Sequence, residues 1–161
     1  MKSLLHFWND PDYDDNMAFL FVLLSLFKNV VIPARVQALE RDIKSNKISE
    51  SQGEARLSLL RSRAHYLLKL NQKITSTNKE DFTADEWLYI EEFLNNAAIS
   101  SSIRNAYCQK YNINSVSGHS KIEQKIQDLR RKLGKYIDIA KNIKEINYHA
   151  DTEEQQDITD I

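Results

Sequence analysis

The sequence predicts an all-α protein, a compact bundle of five or six helices with a long C-terminal helix. Three observations carry that prediction. Apolar residues recur at helical steps through several separate segments. Gly occurs three times and Pro twice in 161 residues, too sparse a punctuation for a turn-rich sheet protein and suited to long helices with short connections. The longest segment with an unbroken beat, Ser120 to Tyr148, places Ile122, Ile126, Leu129, Leu133, Tyr136, Ala140 and Ile143 at alternating steps of four and three, with no Pro between them. Such a helix is roughly 40 Å long and serves as the spine of the bundle. Gly134 weakens its interior.

Residues 1–150 are expected to form a single helical bundle domain, long enough to bury a core. Residues 151–161 carry five acids and no Lys or Arg, and read as an acidic, flexible tail.

The acidic turn Asp10, Pro11, Asp12, Tyr13, Asp14, Asp15, Asn16 leads into the first helix, about Asp14 to Lys28, with Asp12 or Asp14 as its cap. Aspartates at 10, 12 and 14 resemble the start of a calcium loop, but its sixth position is Asp15 and its twelfth Phe21, where that loop needs Gly and a bidentate acid. Phe19, Leu20, Leu23, Leu24 and Phe27 make this helix apolar nearly all round, the pattern of a bundle centre. Its apolar run is too short to span a bilayer, and the preceding aspartates are unlike a secretory leader, so no transmembrane span is expected.

Pro33 suits the first turn of a second helix with Val36, Leu39 and Ile43 inward. Ser49 and Gln52 have capping-box spacing ahead of a third helix, to about Gln72, with Leu57, Leu60, Ala64, Leu67 and Ile74 on one stripe. From Ser51 to Lys79 six Lys or Arg face one acid, Glu54. Thr75 to Asp81 is a polar linker. Phe82, Thr83, Glu86 and Trp87 then give a capping box and a hydrophobic staple for an acidic fourth helix, which is expected to pair with the basic one before it. Ser100 to Ser102 mark a break before a short helix holding Ile103, Ala106, Tyr107 and Tyr111. Gly118 permits a tight turn, and Ser120 caps the C-terminal helix.

No Walker loop, dinucleotide loop, metalloprotease helix or serine-nucleophile elbow is present. Cys108 is the only cysteine, which excludes an intramolecular disulfide and a Cys-cluster zinc site and makes a reducing, cytoplasmic setting the default. His6, His65, His119 and His149 lie in separate segments without local ligand spacing. Arg61 and His65 stand one helical turn apart, but no partner for acid–base work accompanies them. No catalytic residue, metal or cofactor is therefore assigned.

Helical apolar surface without a catalytic constellation predicts a noncatalytic protein-interaction module, such as an adaptor, inhibitor or small subunit of a larger assembly, binding another protein or itself. The alternative is a nucleic-acid-associated subunit. The net charge of −1 gives no general attraction to phosphate, but Ser101 to Ala150 holds ten Lys or Arg against four acids. Lys121, Lys125, Arg130, Arg131, Lys132, Lys135, Lys141 and Lys144 are the interaction or phosphate-contact candidates on the C-terminal helix. Arg104, Asn105, Gln109 and Lys110 are alternative base or phosphate readers, if the fourth and fifth helices form a helix-turn-helix.

Overall fold

A computed structural model describes residues 11–76 and 81–145, and among these the chain is an all-α, six-helix bundle with no strand. The helices are α1 (Tyr13–Leu26), α2 (Ile32–Lys44), α3 (Glu50–Thr75), α4 (Ala84–Ile99), α5 (Ser101–Lys110) and α6 (Ser115–Lys132). A further helical segment, 134–145, continues α6. The predicted tail, 151–161, lies outside the described residues, as do His6 and His149.

α1 and α2 are not separated by a loop. A π-helical turn, Phe27–Val31, joins them into one rod from Tyr13 to Lys44. The backbone N–H of Ile32 donates to Phe27 O, five residues back. The hydrogen-bond ladder has thus already shifted when Pro33, which has no N–H to offer, enters the first turn of α2. The sequence predicts an apolar run too short to span a bilayer, but its fusion with α2 makes a rod, Tyr13–Lys44, that is long and apolar enough to do so by length and composition alone. Its inward residues Leu20, Leu23 and Leu24 are fully buried against the bundle.

The sequence signals at α3 and α4 act as read. Ser49 accepts a hydrogen bond from the Gln52 N–H at 3.2 Å. At α4 the box is complete, with Glu86 N–H donating to Thr83 Oγ1 at 3.1 Å and Thr83 N–H to Glu86 Oε1 at 2.7 Å. Phe82 meets Trp87 edge-on at 5.0 Å, both rings buried, so the staple fixes where the chain enters the helix. Glu86 is 2% exposed and also receives Lys73 Nζ at 2.7 Å. Burial pushes its carboxyl up, but the Lys73 and Thr83 hydrogen bonds and the Lys73 and Lys69 charges outweigh that and hold it below the usual range.

α6 begins earlier than its sequence suggests. Asn114 caps it by accepting the Val116 N–H at 2.9 Å, and Ser120 lies inside the helix. Gly118 is helical too. Close approach of α6 to the end of α5 explains it, since a Cβ at 118 would stand 2.7 Å from Ile113 Cγ2 and 3.1 Å from Cys108 Sγ. The tight turn before it is made by Asn112, at φ 55°. The expected uninterrupted C-terminal helix has a break at Leu133, beside Gly134, yet Leu133, Tyr136, Ile137 and Ala140 stay buried and the seam runs through the break. Trp87 of α4 stacks on Tyr136 at 5.2 Å and 11°.

The bundle has two parts. α1, the C-terminal half of α3, α4, α5 and α6 share the core, where Leu67, Leu70, Ile90, Leu94 and Ile126 are closed to solvent. α2 instead packs mainly on the N-terminal half of α3, and Ile32 is its only buried residue. Gly53 makes this hairpin close, because a Cβ there would overlap the Ile43 side chain.

Candidate interaction surface

Two basic regions emerge, and they differ in what their cations touch. On the C-terminal helix, Arg130 donates to Glu91 Oε2 at 2.9 Å and Lys141 to the same oxygen at 3.0 Å. Lys144 pairs with Asp85 at 2.8 Å. These carboxylates belong to α4, which packs chiefly against α6 rather than pairing along the basic α3 as its sequence suggests, and touches α3 through Glu86. Arg131 bonds Asp128 on its own helix at 3.0 Å. Lys125 stands 4.6 Å over Phe19 and 5.8 Å over Tyr107, and Lys135 stands 5.1 Å over Tyr136. Lys121 and Lys132 are exposed and make no ion pair with a described residue.

The alternative readers on α5 are also divided. Arg104 donates from Nε to Ser100 O at 3.2 Å and from Nη2 to Ile99 O at 3.0 Å, closing the C-terminal end of α4, and lies 3.6 Å from Glu123. Lys110 lies 5.8 Å from the Tyr111 ring centroid. Asn105 and Gln109 look across a groove at α2, with Ser102 and Ala106 beside them and Val30, Ala34 and Ala38 opposite.

That groove is one half of a larger cleft between the α2–α3 hairpin and the α4–α5 corner. Its volume is about 300 Å³. It meets a second cavity of about 460 Å³ at Arg35, which lines both. Phe27, Phe93, Ala97 and Ile103, all buried, form the apolar floor of the second cavity. Arg35 and Arg63 stand on its rim with Tyr89, Glu92, Asn96 and Ile99. Two apolar side chains open to water border the cleft, Ile99 at 78% and Val30 at 45%. Phe27 and Phe93 meet edge-on at 5.8 Å, and the Arg35 guanidinium lies 5.2 Å over Phe27. Neither Arg35 nor Arg63 forms an ion pair with a described residue. Burial raises the Tyr89 hydroxyl above its ordinary range, which Arg63 opposes and Glu92 reinforces.

Of the residues lining the cleft, only Asn105 and Gln109 are candidates from the sequence, as base or phosphate readers. Arg35 and Arg63 stand 28 residues apart on two different helices, and nothing local in the sequence signals that packing brings them to one rim.

Among the described residues, no group of three or more His, Cys, Asp or Glu converges to hold a metal. His65 is exposed on α3, and Cys108 is buried, 3% exposed, against the start of α6. Comparison of the chain with protein-family models, curated proteins and solved structures finds no match.

Proposed function

We propose that this helical bundle is a noncatalytic protein-interaction module that docks another protein in the cleft between the α2–α3 hairpin and the α4–α5 corner. The observation that carries this reading is an apolar floor of two phenylalanines bordered by the exposed Ile99 and Val30. Exposed apolar side chains around a concave apolar surface are the anatomy of a docking site. Phosphate binding by the C-terminal helix has fewer unengaged cations to draw on, because Arg130, Lys141 and Lys144 each hold a carboxylate of α4.

A photoreactive side chain placed at Ile99 is expected to crosslink a partner chain, and one at Lys132 is not. The purified partner then binds the full chain, and Ile99→Asp weakens that binding about ten-fold or more. Crosslinking from Lys132 alone would overturn the proposal. So would salt-dependent duplex binding that is lost when Arg130, Arg131 and Lys132 are neutralised.

A further inference from the structure

We infer that the occupant of the cleft is an acidic amphipathic helix of a partner protein, its apolar stripe seated on Phe27, Phe93 and Ile103 and its carboxylates meeting Arg35 and Arg63. This rests on the docking reading above and deepens it. The shape argues for a helix. The wall supplied by the π turn and α2 runs from Phe27 to Ala38, roughly 17 Å at ~1.5 Å per residue, which matches three turns of an occupant helix. Small residues line the smaller half on both sides, Ala34 and Ala38 against Ser102 and Ala106. Side chains of a docked helix reach the floor where walls are low, and i, i+3, i+4 and i+7 anchors then fill the two cavities.

The charge argues for acid. Arg35 and Arg63 are exposed, and neither forms an ion pair with a described carboxylate. From Arg56 to Lys73, α3 carries five Lys or Arg and no Asp or Glu. Of these, Lys69 and Lys73 are engaged by Glu86, whereas Arg56, Arg61 and Arg63 make no ion pair with a described residue. α5 points its N-terminal end into the same corner, with Ser100 and Ile103 lining one cavity, Ser102 the other, and no acid in its first turn. A helix N-terminus carries partial positive charge and adds to the field of the arginines. Among the described residues, Glu92 is the only carboxylate lining either cavity, so the end of the occupant near Tyr89 is neutral or basic.

A second copy of this chain fits less well. A two-fold contact through the cleft sets Arg35 and Arg63 of the two molecules against each other, and among the described residues only one Glu92 per copy lines the cleft to offset them.

The test uses the full chain and two fluorescent synthetic helices with the same apolar stripe, one with Glu and one with Lys on its remaining positions. Fluorescence anisotropy is expected to show the Glu peptide binding at least about ten-fold more tightly at moderate salt. The double variant R35E/R63E reverses that preference, and I99D weakens both peptides. Both arginines are exposed, so unchanged far-ultraviolet circular dichroism and an unchanged unfolding midpoint verify that the variant folds.

Peptide binding that depends on Ile99 but is indifferent to peptide charge would overturn the acidic occupant and leave the docking module standing. Binding of neither peptide, or binding untouched by every cleft variant, would overturn both. A concentration-dependent dimer in sedimentation, abolished by I99D, would make a second copy the occupant and overturn the inference.

Discussion

The C-terminal helix and the α2–α3 hairpin are both rich in Lys and Arg, and they use that charge in opposite ways. On the former, Arg130, Lys141 and Lys144 reach Glu91 and Asp85 and help set the register of α4 against its neighbour. On the latter, Arg35 and Arg63 stand over an apolar cleft and form no ion pair with a described carboxylate, Glu92 on the same rim included. The difference teaches that local basic balance measures what a segment carries, not what it has left to offer. A salt bridge between half-exposed groups adds little stability, and it lowers rather than removes the charge a cation offers a ligand.

The two regions also differ in how deeply they are anchored, and substitutions should separate them. The largest expected effect is Trp87→Ala. Trp87 is 1% exposed, stacked on Tyr136 and stapled by Phe82, so its loss removes about 3–5 kcal/mol from the unfolding free energy in urea. A loss under about 1 kcal/mol would mean that α4 and the C-terminal segment are not joined as described.

Glu86→Gln comes next, at about 1.5–3 kcal/mol near neutral pH, because Lys73 loses its ionic partner. Glu86 has a depressed folded-state pKa, so its contribution is present above the ordinary carboxyl value of 4.5 and is lost as pH falls through the folded value. Urea midpoints measured downward from neutral pH should therefore fall more steeply in the parent chain than in the Gln variant. Parallel profiles would contradict that assignment. In the hairpin, Gly53→Ala forces Ile43 aside and costs about 1–3 kcal/mol, with hydrogen exchange accelerated in α2 more than in α4.

Gly134→Ala is expected to act in the other direction. Nothing lies within 4 Å of a Cβ there, and the change should raise stability by about 0.5–1 kcal/mol while carrying the helix across Leu133. The smallest stability effect belongs to Glu91→Gln, about 0.2–1 kcal/mol, because Arg130 and Lys141 are 43% and 50% exposed. That variant releases two cations at once. Its retention on a phosphate or heparin column should increase, which the parent helix with its paired cations does not match.

Much of the fold is legible in the chain because it is set by contacts within a few residues. Thr83 and Glu86 bond each other's backbone three positions apart, Ser49 caps α3, and the stripe from Ile122 to Ala140 is buried as its spacing requires. Local chemistry is ambiguous where two readings satisfy the same rule. Asn114 and Ser120 are both good caps, and Gly118 suits a turn as well as a helix; contact with Ile113 and Cys108 decides between them. Pro33 reads as a helix start, and only the shifted ladder from Phe27 to Ile32 shows that no loop precedes it.

The cleft is invisible for a stronger reason. Its residues come from the rod, α3, α4 and α5, and Arg35 and Arg63 meet at one rim only because Ile43 settles over Gly53 and folds the hairpin back. Likewise, the cations of the C-terminal helix read as available until tertiary packing places Glu91 beside them.

The most direct test of this division compares two charge reversals in one binding assay. The affinity of the full chain for the Glu-faced amphipathic peptide is measured in R35E/R63E and in R131E/K132E. The expected result is a loss of about ten-fold or more from the cleft pair and less than about two-fold from the C-terminal pair. Equal losses, or a larger loss from Arg131 and Lys132, would contradict the assignment of the cleft as the working surface.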